Sequence, residues 1–101
     1  MSELNRAFES LANQFLSAHR EISHEWRQVN DPVWGDRSDL VCGIGAANEV
    51  YASLLGYQIA VGVTNGDHRD FEDYGRGLSD KEVAKEAFDR LTELLRLHGY
   101  L

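Results

Sequence analysis

The sequence predicts an α+β fold: one small domain over residues 1–101, with a long N-terminal helix, a second helix, a β-hairpin and a C-terminal helix (α-α-β-β-α). Three observations predict it. An apolar stripe at helical spacing runs from Leu4, the stretch "YQIAVGV" alternates ahead of Asn65-Gly66, and a complete set of helix-start signals stands at Ser79.

In the first element Leu4, Phe8, Leu11, Phe15, Ala18 and Ile22 recur at alternating spacings of four and three. That pattern puts them on one helical face. Ser2 suits the N-cap. Asp31 precedes Pro32 and is pushed away from helical geometry, so the helix is expected over 3–28. Packing on the protein's own core is the simple use of such a stripe, and a homodimer through this helix is the alternative.

The middle supports two readings. Ala47, Val50, Tyr51, Leu54 and Leu55 share one side of a helix over 46–55, with Gly56 as its stop. Gly43 and Gly45 would each cost about 1 kcal/mol inside a helix. Leu40 to Ile44 is therefore open to two readings, a short additional strand or an extension of the helix. Tyr57, Ile59, Val61 and Val63 then alternate as a half-buried strand does. Asn65-Gly66 signals a hairpin. A three-residue Asn65-Gly66-Asp67 loop sets Val61 opposite Phe71. A two-residue loop would set it opposite Asp70 and send every side chain to the wrong face.

The last helix is the best marked. Ser79 and Glu82 form a capping box, with Leu78 and Val83 at the staple positions. Val83, Ala87, Phe88, Leu91, Leu94 and Leu95 form its buried face, and Gly99 ends it.

Composition narrows the function classes. The 101 residues carry 17 acidic and 10 basic side chains, for a net charge of −7. Nucleic acids and anionic membranes call for a basic footprint, so neither is an expected partner, whereas a basic protein is. The start of the chain has no apolar signal segment and no apolar run reaches 18 residues, so a cytoplasmic protein is expected. The single cysteine, Cys42, excludes an internal disulfide and sits among apolar neighbours, as a buried small hydrophobe does.

No cofactor or metal is expected. "GIGAANE" at 43–49 lacks the third glycine of a dinucleotide fingerprint, and close backbone packing explains its glycines. His19 and His24 do not share a helical face, and Gln28 stands where a metalloprotease helix would need a histidine. The Asp67, His68 and Asp70 turn offers acid–base or ligand-binding groups to a small enzyme or binding protein, the alternative function.

The residues that favour binding are aromatic and acidic. Trp34 lies in the loop "NDPVWGDRSD" as either a partner anchor or a plug beneath the helices. Asp67, Asp70, Phe71, Glu72, Asp73 and Tyr74 make an acidic hairpin edge with interleaved aromatics. Charge of this kind also blunts an exposed edge strand. The expected function is non-enzymatic: a small acidic intracellular module that inhibits or regulates another protein. Immunity proteins, antitoxins and phage anti-defence inhibitors are analogues in size and charge.

Overall fold

The structure is a computed structural model that describes residues 2–33 and 35–101. Its elements run α1 (Glu3–Ala18), β1 (His24–Asp31), β2 (Gly35–Cys42), β3 (Val50–Leu55), β4 (Gln58–Val63), β5 (His68–Phe71) and α2 (Asp80–Leu97). The strands form one antiparallel sheet in the order β1-β2-β3-β4-β5, so every neighbour in space is a neighbour in sequence. The expected α-α-β-β-α order is therefore corrected: two helices flank a five-stranded meander.

The first correction concerns α1, which stops at Ala18 instead of running to residue 28. Ser2 caps it through a hydroxyl that accepts the Asn5 N–H at 3.1 Å. Leu4, Phe8 and Phe15 are buried as the stripe requires, but Ala18 is exposed. Ile22 reaches the core from the turn that follows, held by its N–H on the His19 carbonyl. Beyond that turn, pairing with β2 overrides the helical spacing, and Trp26 and Arg27 point to opposite faces of β1. The α1 stripe faces this protein's own core: Phe8 and Phe15 pack on Phe88 of α2, with ring centroids 5.4 and 6.2 Å apart.

The second correction is that no helix covers 46–55. "VYASLL" is the central strand β3, with Val50, Ala52 and Leu54 on the helix side and Tyr51 and Ser53 on the other. Its length and its pairing on both sides decide a sequence that periodicity leaves open. Gly56, at φ +52°, takes the first place of a two-residue β3–β4 turn, the position glycine holds in a type II′ hairpin. Of the two readings open for Leu40 to Ile44, the structure has a strand, which starts earlier and ends at Cys42, as β2.

The hairpin register also differs. Val61 pairs with Arg69, and Ile59 pairs with Phe71. Asn65, at φ +67°, makes the reversal one step earlier in the chain than expected, and Gly66 N–H closes it on the Val63 carbonyl. The offset is two residues, so faces are preserved and Val61 and Phe71 still lie toward the helices.

The last helix follows its sequence signals. Ser79 and Glu82 exchange both capping-box hydrogen bonds, and Val83 is buried beside a half-buried Leu78. After His98, the Gly99 N–H bonds the Arg96 carbonyl and the Tyr100 N–H the Leu95 carbonyl, closing a Schellman motif. The motif throws Tyr100 back over the β2–β3 loop, where its hydroxyl bonds the Asn48 carbonyl. A Cβ on Gly43 would stand 2.6 Å from the Tyr100 ring, so the first glycine of "GIGAANE" serves close packing.

Both helices cover one face of the sheet. Leu40, Cys42, Val50, Ala52, Leu54, Ile59, Val61 and Phe71 meet Phe8, Phe88, Leu91 and Leu95 in a single apolar core. Val41 and Ala60 are buried outside that core, on the opposite face.

Candidate functional site

The face turned away from the helices is the most distinctive surface of the protein. Register places Arg27 of β1, Asp39 of β2, Ser53 of β3, Ala60 of β4 and Asp70 of β5 in one row across it. Glu25, Val41, Tyr51, Gly62 and His68 make the next row. At Gly62 the His68 side chain packs where a Cβ would stand, whereas the small Ala60 leaves room beside Ser53. A hollow of about 470 Å³ opens there, with Arg27, Arg37, Asp39, Tyr51, Ser53 and His68 among its lining residues.

Buried polar groups line this hollow. Ser53 is only 4% exposed and Asp39 8%, although no core cluster covers them. Arg37 satisfies Asp39: its Nε donates at 3.2 Å, while Nη1 donates to Asp31 at 2.8 Å. Arg27 makes a second bridge. Its Nη1 and Nη2 donate to the two oxygens of Glu49 at 3.2 and 3.3 Å, and its Nε contacts Glu25. The Arg27 bond, followed by the Gly45 N–H, holds the Glu49 carboxyl below the usual carboxylate range. The same two carboxylates raise the Arg27 guanidinium. Burial pushes the Tyr51 phenol up, and Asp39 reinforces the shift. Among the described residues, neither the Tyr51 nor the Ser53 hydroxyl has a side-chain hydrogen-bond partner.

The acidic segment expected at 67–74 is divided between surfaces. Asp67 is exposed in the β4–β5 turn, and Asp70 joins the open face beside His68, 3.7 Å away. Phe71 lies in the core under Arg69, so it is not a surface group. Asp73 accepts the Leu78 N–H at 2.9 Å and shapes the approach to α2. Tyr74 is 79% exposed with φ +42°, and Tyr57 of the β3–β4 turn is 67% exposed. The charges of Glu72, then Tyr57 and Asp70, raise the Tyr74 phenol, which places the two tyrosines and these acids in one neighbourhood. The Trp34 reading, anchor or plug, lies outside the described residues.

The arrangement offers a cationic group both carboxylates and hydroxyls. Glu25, Asp31, Asp39, Glu49 and Asp70 outnumber Arg27 and Arg37 on the open side. A nucleophile is harder to find: Cys42 is fully buried on the helix side, and burial pushes its thiol up to about 11. Among the described residues no group of three His, Cys, Asp or Glu side chains is placed to hold a metal ion. No described helix is long and apolar enough to cross a membrane.

Reading the sequence alone misses Arg27, Arg37, Asp39, Tyr51 and Ser53 as site residues. Their signal is the i, i+2 alternation in "HEWRQVND", "GDRSDLVC" and "VYASLL", which a helical reading hides. The chain matches no protein-family model, and no curated protein or solved structure is similar to it.

Proposed function

We propose that this is a non-enzymatic binding module that docks a basic partner protein on the open face of its sheet and thereby blocks or tunes that partner. One observation carries the reading. The open face carries Glu25, Asp31, Asp39, Glu49 and Asp70 against Arg27 and Arg37, and its hollow sets Asp31 and Asp39, each held by an arginine, beside the hydroxyls of Tyr51 and Ser53. A lysine or arginine of the partner entering it gains charge-assisted hydrogen bonds from groups already oriented by Arg27 and Arg37. Asp70, Glu72, Tyr57 and Tyr74 extend the surface as an acidic rim with exposed aromatics, the composition that favours interface anchors. A cytoplasmic location suits such a module, and its action in immunity, antitoxin or anti-defence systems is the class of role intended.

The hollow's volume also favours a second reading, a small cationic ligand, because it falls within the ordinary range of ligand sites. Titration of isotope-labelled protein with short lysine- and arginine-bearing peptides at low salt tests the proposal. Amide shifts are expected at Tyr51, Ser53, His68 and Asp70, with Asp70→Lys slowing association. Shifts spread over the acidic side of α2, or none, would remove the open face as the site. Peptide length separates the two readings: a small-ligand site saturates with a single amino acid, and a protein-docking surface gains affinity as the peptide lengthens across the rim.

A further inference from the structure

We infer that two copies of this chain pair through their β1 edges, antiparallel about a two-fold axis at Trp26, so that the sheet continues from one copy into the next. The hydrogen-bond pattern shows which backbone groups are free to do so. Gly43 N–H donates to the Ser23 carbonyl at 2.9 Å, just before β1 begins its ladder with β2. In an antiparallel ladder, bonded pairs alternate with unbonded ones. Glu25, Arg27, Val29 and Asp31 therefore bond inward to β2, while the N–H and C=O groups of His24, Trp26, Gln28 and Asn30 point outward.

That edge is long and regular, with the charges of Glu25, Arg27 and Asp31 as its protection. β1 pairs without a bulge over eight residues and contains no proline. The other edge of the sheet is different: β5 has only four residues, and only His68 and Asp70 turn their amides outward. Trp26 is also under-covered. It is 42% exposed on the helix side, held edge-on by the Phe8 ring at 6.0 Å, and lines a groove with Asn5, Glu9 and Gln28.

Overlap and charge together select the register, since an axis at His24 or Asn30 would pair only one end of β1. An axis perpendicular to the sheet keeps both helix layers on one side and matches residues of like face. An axis at Glu25 or Arg27 sets that charge against itself, and one at Gln28 sets Glu25 against the partner's Asp31. Like charges directly opposite destabilise a pair of strands. An axis at Val29 pairs Arg27 with the partner's Asp31, but leaves Trp26 facing the partner's Pro32. The axis at Trp26 pairs Glu25 with the partner's Arg27 twice, pairs His24 with the partner's Gln28, and covers each indole with the other. Glu25 already contacts Arg27 within one copy, so each guanidinium then lies between two Glu25 carboxylates.

Sedimentation equilibrium of the full chain over a wide concentration range tests this, independently of any basic partner. Wild type is expected to dimerise. Glu25→Arg, which sets two arginines opposite each other, should weaken the dimer about tenfold or more. The exchange Glu25→Arg with Arg27→Glu should restore it, an outcome that repair of the intrachain contact alone would not give. Gln28→Pro should also yield monomer by removing an outward N–H, and Glu25→Arg keeps the test open where the proline variant does not fold. With a short thiol crosslinker, Trp26→Cys should link copies and Val29→Cys should not, since Cys42 is buried and silent. A wild type that stays monomeric at millimolar concentration would overturn the proposal, as would a dimer indifferent to Glu25→Arg or one that links through Val29→Cys.

Discussion

On its two faces the same sheet meets opposite physical demands. Toward the helices, Leu40, Val50, Ile59 and Val61 are almost fully buried among apolar neighbours, and removal of their surface from water drives folding. On the other side, Asp39 and Ser53 are nearly as buried, yet their neighbours are charged or polar. Burial there costs free energy unless each polar atom finds a partner. Arg37 supplies one for Asp39, while the hydroxyls of Ser53 and Tyr51 keep access to solvent through the hollow. The difference teaches that shielding alone does not define a core. The helix side is shielded by apolar packing, whereas the open side holds polar groups that are either paired or still open to solvent.

The largest effect expected of this contrast is in folding stability. Ile59→Ala on the helix side should cost about 3 kcal/mol, from lost burial and the cavity left behind. Asp70→Ala on the open rim should stay within about 0.5 kcal/mol of wild type. Urea denaturation reads both, and equal losses would break the comparison.

A middle effect is expected at Asp39→Ala, which leaves a half-buried Arg37 with Asp31 as its carboxylate. A loss of about 1–3 kcal/mol should follow, with the Tyr51 phenol titrating lower once the Asp39 charge is gone. An unchanged denaturation midpoint would show that this face stores no cost.

Away from both faces, Ser79→Ala should lower stability by about 1 kcal/mol by removing the α2 cap. A midpoint shift well above that would mean the cap also organises the 72–78 loop.

The smallest effect is acid dependence at Glu49. Its folded-state pKa is depressed, so its contribution is present above the unfolded value and is lost as pH falls through the folded one. Arg27→Gln should bring the Glu49 titration, followed by NMR, back toward the ordinary carboxylate range. A Glu49 carboxyl that titrates unchanged in this variant would show that the bridge is not the cause.

Legibility from sequence followed how local the determinants are. Ser79, Glu82, Leu78, Val83 and Gly99 all act within a turn of their own helix, and α2 reads correctly from them. The end of α1 carries no such mark. No glycine or proline stands between Ala18 and His24, and β1 becomes a strand because β2 pairs with it. In β3, apolar or small residues fill both faces, so alternation is faint and helix and strand fit equally well. The open-face site was the least legible part. Arg27, Asp39, Ser53 and Asp70 come from four strands, and only the sheet register brings them into one row.

The meander has a further consequence for how the chain is made. Each strand pairs with its immediate predecessor, so the sheet can zip up as it emerges from the ribosome, with short loops closing at small entropic cost. Its apolar side, however, is completed by Phe88, Leu91 and Leu95 of α2, which are translated after every strand. Until they arrive, a nascent chain displays Leu40, Ile59 and Val61 to whatever is nearby, beside the unpaired β1 edge. Stalled or truncated products that lack α2 are therefore expected to aggregate or to be held by chaperones, and the interval between translating Phe71 and Leu95 is when this protein is most vulnerable.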